Sequence, residues 1–111
     1  MALLGGIRLA DNFSATKMPQ GAASAWAALD GLEFTGAGYK PLLYVGNQLV
    51  NGTNYWFIAE QSIYYSEVER HIVKLAVREF KQKIDSKDDE FETVYKLVPH
   101  SITILFLNTG A

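Results

Sequence analysis

Apolar residues recur at helical spacing early in the chain. Met18, Ala22, Ala25, Trp26, Leu29 and Leu32 fall on one face of a 3.6-residue repeat. Ala22, Ala23, Ala25, Ala27 and Ala28 dominate this stretch, and alanine is the best helix former. Pro19 suits a first helical turn, and Gly31 suits a cap at the far end. The pattern predicts a helix from about Pro19 to Leu32. Small side chains on its face would let a sheet approach closely around Trp26.

The pattern then changes. Thr35 to Gly38 reads as a turn, and two β-rich runs follow, Tyr39 to Val50 and Thr53 to Tyr65. Asn51-Gly52 lies between them. This pair favours a tight two-residue turn, in which both residues need positive φ. A long antiparallel hairpin is expected, with its tip at Asn51-Gly52.

From Ser66 two periods compete. Ser66-Glu67-Val68-Glu69 resembles a capping box, and Val68, Ile72, Leu75, Ala76, Phe80 and Ile84 keep helical spacing. Val73, Leu75 and Val77 alternate with Lys74, Ala76 and Arg78, which is strand spacing. Lys81 to Glu90 is highly charged and predicts a solvated end or loop. Phe91, Val94, Tyr95 and Val98 suit a short helix, while Phe91, Thr93, Tyr95 and Leu97 equally suit a strand. Ser101 to Leu107 is a short, very apolar strand, expected to be central or covered on both faces.

With 111 residues the chain has room for one core. Residues 1–17 read as an extended arm carrying Gly5-Gly6, and residues 18–111 as a single domain. A hydrophobic fraction of 49% and a net charge of −2 exclude disorder for most of the chain. The balanced charge gives no bulk attraction to phosphate, so no nucleic-acid partner is expected. There is no cysteine, which excludes disulfides, thiolate metal sites and a cysteine nucleophile. The apolar run Ile102 to Leu107 is far short of the ~20 residues of a membrane-spanning helix. The start of the chain lacks a signal-peptide pattern, so a cytoplasmic protein is expected, or a secreted one whose signal peptide was removed.

Candidate chemistry is sparse. The glycines at Gly36 and Gly38 lack the Lys-Ser/Thr ending of a phosphate loop. No motif groups serine, histidine and acid residues, so no enzyme, cofactor or metal is expected. His71, beside Glu69 and Arg70, reads as a surface or rim histidine. Asp85, Asp88, Asp89 and Glu90 lack the glycine and terminal glutamate of a calcium loop. Asn12-Phe-Ser and Asn51-Gly-Thr match the glycosylation pattern by chance.

At the hairpin the residues carry a resemblance. Gln48-Leu49-Val50-Asn51-Gly52 fits Gln-x-Val-x-Gly, the signature of the cystatin and stefin family, and Thr53-Asn54-Tyr55 extends it. Gly5-Gly6 resembles the glycine of the family's N-terminal arm. The chain is especially similar to small bacterial cystatin-like proteins, which share the Pro-opened helix and a Tyr-x-Pro, here Tyr39-Lys40-Pro41. The resemblance spans Gly5 to about Phe80. It implies an α+β fold, one helix packed on a twisted antiparallel sheet of four to five strands. It assigns Arg70 to Phe80 to a strand. Val98-Pro99-His100 resembles the stefin form of the family's second hairpin loop, but lies farther from Gln48 than in the family. Either Lys81 to Glu90 is the second loop and Ser101 to Leu107 an extra strand, or an insertion precedes Pro99.

The resemblance also implies a function. Cystatins inhibit papain-like cysteine proteases reversibly, wedging the arm and two hairpin tips into the protease cleft. Here that wedge would comprise Gly5, Gly6, Gln48, Leu49, Val50, Asn51, Gly52, Pro99 and His100. Asn51 replaces the usual alanine and neither candidate second loop carries a tryptophan, so weak inhibition is expected. The other reading is a cystatin-fold binding or structural module with no protease target. A closed monomer or a side-by-side homodimer is expected.

Overall fold

The computed structural model describes residues 6–30, 36–64, 68–84 and 90–107. Along them run β1 (Ile7–Leu9), α1 (Gln20–Asp30), β2 (Ala37–Val50), β3 (Gly52–Tyr64), β4 (Val68–Lys83), β5 (Phe91–Leu97) and β6 (Thr103–Leu107). All neighbouring strands are antiparallel, in the order β1-β2-β3-β4-β5, and β6 pairs with β4. The expected α+β class is found. Among the described residues there is one helix, and the sheet has six strands rather than four to five.

Helix α1 forms where the alanines lie. The Pro19 carbonyl accepts its first bond from the Ala23 amide at 2.9 Å. Ala22, Ala25, Trp26 and Leu29 are buried, and the helix rests across β2, β4 and β5. Trp26 meets the Phe57 ring edge-on at 5.0 Å, and Phe57 meets Tyr44 at 5.7 Å. Burying each such side chain contributes roughly 1.5–3 kcal/mol, so this cluster is what holds the helix to the sheet. Gly31 and Leu32, the expected helix end, lie outside the described residues, as do Gly5, Ser66, Glu67, Asp85, Asp88 and Asp89.

Strand spacing wins in β4. Val73, Leu75 and Val77 are fully buried beneath the helix, facing Ala59, Phe57 and Tyr55 of β3. Residues 91–97 are also strand, so the helical alternative there is not realised. Two expectations are corrected. Ser101 is buried and Ile102 packs against the core, but the rest of the stretch, Thr103 to Leu107, is neither central nor covered. This part, β6, lies at the sheet edge with all five residues exposed. Strand β5 ends opposite Val77, which leaves the rest of β4 unpaired on that side, and β6 fills the gap. His71 is not a surface residue. It is buried, on the helix-facing side of β4 opposite Gln61, with Nε2 3.5 Å from the Glu69 carboxylate.

Candidate functional site

Three chain segments reach the same end of the sheet. The first is the arm. Ile7, Arg8 and Leu9 pair with Gln48, Asn47 and Gly46, so Gly6 enters beside the hairpin tip. From Ile7 the arm is therefore an edge strand. A Cβ at Gly46 would fall on the Arg8 carbonyl, so glycine permits this close approach. Gly6 itself is exposed.

The second segment is the β2–β3 tip. Leu49 faces Thr53, and Val50 faces Gly52, so the turn centres on Asn51. This corrects the expected two-residue turn by one position. Gly52 has φ +104°, while Asn51 does not have positive φ. A three-residue turn ending in a left-handed glycine is the other solution that Asn-Gly supports. The tip is folded onto β4. A Cβ at Gly52 would strike the Glu79 carbonyl. Arg78 donates from Nε to the Asn51 carbonyl at 2.8 Å, with Nη2 on the same oxygen.

The third segment is the paired end of β4 and β5. Lys83 faces Phe91, and because Thr53 already faces Glu79 this paired end extends past the tip. Lys81 to Lys83 continue β4, and residues 85–89 of the sequence's first alternative for the second loop lie outside the described residues. Pro99-His100 is instead an exposed turn between β5 and β6, alongside Ala76. His100 takes φ 62°, and the buried Ser101 hydroxyl accepts from the Ala76 amide at 3.1 Å. Pro99 nevertheless shares a cleft of about 590 Å³ with Val50, Asn51, Asn54, Arg78 and Phe80. His100 does not line it.

The side chains at this end divide by role. Gln48 is structural. Its Oε1 accepts from Trp56 Nε1 at 3.0 Å and from Asn54 Nδ2 at 3.3 Å, which ties the hairpin together. Apolar surface comes from Leu49, 48% exposed, with Ile7 at 49% on the arm and Phe91 at 61% where β5 begins. Arg78 and Lys96 lie over the Phe80 ring at 5.4 and 5.7 Å and supply positive charge behind the tip. On the opposite face burial raises the Tyr55 and Tyr95 phenols, and the nearby Glu79 carboxylate raises both further. They stay neutral donors. Sequence reasoning missed Ile7, Phe91 and the Arg78 clamp, because each depends on the register that sets them beside the tip.

A scan against protein-family models, a search of curated proteins and a search of solved structures each return no match to this chain.

Proposed function

We propose that the chain is a cystatin-like protein that inhibits papain-like cysteine proteases reversibly and weakly, by seating this sheet end in the substrate cleft. One observation carries the reading: the arm, the Val50–Gly52 tip and the start of β5 lie at one end of the sheet, with Ile7, Leu49 and Phe91 exposed there. Such an end occludes a cleft without offering an extended strand for hydrolysis. Binding is weak for physical reasons. Asn51 brings a polar amide to the tip, and desolvating an unpaired amide costs about 1–3 kcal/mol. A missing aromatic anchor commonly costs ~2 kcal/mol or more, and each 1.4 kcal/mol is tenfold in affinity. The test is steady-state kinetics of papain on a small peptide substrate. The protein should raise KM and leave kcat unchanged, with half-effect at micromolar concentration. An unchanged KM overturns the proposal.

The second reading is a cystatin-fold binding module without a protease target. The Arg78 clamp favours it, since the tip is drawn onto β4 instead of standing free. In that case Gln48 to Gly52 serves only to build the hairpin.

A further inference from the structure

Strand β6 differs from β2 to β5, which all carry partly or fully buried residues. Its five residues, Thr103 to Leu107, are all exposed, yet four of them are large and apolar. Ile104 is 48% exposed, Leu105 43%, Phe106 72% and Leu107 61%. Among the described residues its one strand partner is β4, so its outer edge presents main-chain donors and acceptors to solvent. Proteins normally blunt such edges with charge or proline. Ser101 to Leu107 contains neither. The single protective device is a bulge at Leu105, which twists the strand without adding charge.

The apolar residues are spread over both faces. Phe106 stands opposite Ile72, on the face away from the helix, while Leu107 stands opposite the helix-facing His71. A partner lying on one face would cover only half of them. A strand added along the edge covers both, because its own side chains alternate in the same way. We propose that β6 pairs antiparallel with β6 of a second copy of this chain, about a two-fold axis, joining the two sheets into one. The strand is suited to itself. With no charge in it, a two-fold pairing opposes no like charges, and each apolar side chain meets an apolar neighbour.

The area sets the strength. Taking roughly 200 Å² for a fully exposed large apolar side chain, the four residues leave about 450 Å² per copy, or ~900 Å² for the pair. This lies below the ~1,200–2,000 Å² of stable complexes and within the range of weak, reversible ones. The dimer is therefore concentration-dependent, and it leaves the arm and the Asn51 tip free.

Sedimentation velocity over a concentration series from about 1 µM to about 1 mM tests it, that window bracketing weak association. The native protein should shift from one chain mass towards two. Phe106→Lys puts a charge on the seam at a largely exposed position, so the fold is retained, and it should weaken association at least ~10-fold, about 1.4 kcal/mol. Phe91→Lys, also at an exposed phenylalanine but on β5, should associate like the native protein. A native chain that stays at one mass throughout overturns the proposal. So does a Phe106→Lys variant that still dimerises, or a Phe91→Lys variant that loses association to the same degree.

Discussion

Substituting the two tip residues separately tests how the hairpin turns. In a two-residue turn both Asn51 and Gly52 would need positive φ, and alanine would be strained at either position. In the structure only Gly52 has it, at +104°. A side chain there also meets the Glu79 carbonyl, which is backbone and cannot swing away. The left-handed conformation costs an L-residue roughly 1–2 kcal/mol, and displacing the tip from β4 adds at least one charge-assisted hydrogen bond from Arg78, about 1.5 kcal/mol or less at an exposed site. Gly52→Ala should therefore lower stability by roughly 2–3 kcal/mol. Asn51→Ala should change it by less than about 0.5 kcal/mol, because the clamp holds the Asn51 main-chain oxygen and the side chain is exposed. Urea unfolding followed by circular dichroism measures both. Equal losses at the two positions would refute the three-residue turn and restore the register expected from Asn-Gly alone.

Trp26→Ala removes the residue that joins helix to sheet through Phe57, and should cost roughly 3–5 kcal/mol in the same assay. Raised phenol pKa values at Tyr44, Tyr55 and Tyr95 mean that the folded state favours neutral tyrosine. Their contribution is complete below the ordinary phenol value of about 10 and is lost as pH rises through the higher folded values, so stability should fall above roughly pH 10 and fall less steeply in Tyr55→Phe. The Glu60 carboxyl is lowered by its hydrogen bond from Arg70 at 2.8 Å. That contribution is present above the ordinary carboxyl value and lost as pH falls through the folded one, so Glu60→Gln should slightly flatten the acid limb of the stability profile.

The helix and the long hairpin were legible because each has one apolar face. Ala22, Ala25, Trp26 and Leu29 cannot face a sheet in any other secondary structure, and all four are buried. Strand β4 was ambiguous for a physical reason. Its helix-facing residues Val73, Leu75 and Val77 are apolar, but so are Ile72, Ala76 and Phe80 on the other face. With both faces apolar, period two and period 3.6 fit the same letters. The Asn-Gly pair suits two turn geometries, and the choice falls to Gly52 packing on Glu79, a contact between residues far apart in sequence. Strand β6 was misplaced because composition reports apolarity and not strand order. Its edge position follows from where β5 ends, at Leu97 opposite Val77. Gln48 and Leu49 were legible as a motif, whereas Ile7 and Phe91 join the site only through pairing with Gln48 and Lys83.

The central claim is that one end of the sheet enters a protease cleft. Amide nuclear magnetic resonance of the isotope-labelled protein, titrated with papain whose active-site thiol is blocked by a small methylthio group, tests it most directly. The account predicts changes concentrated at Gly6, Ile7 and Leu49 to Thr53 and at Glu90 and Phe91, with Thr103 to Leu107 unaffected. Asn51→Ala should tighten the titration by about threefold to tenfold, since it removes a polar group worth ~1 kcal/mol of desolvation. No perturbation at the tip and arm, or changes confined to another face, would contradict it.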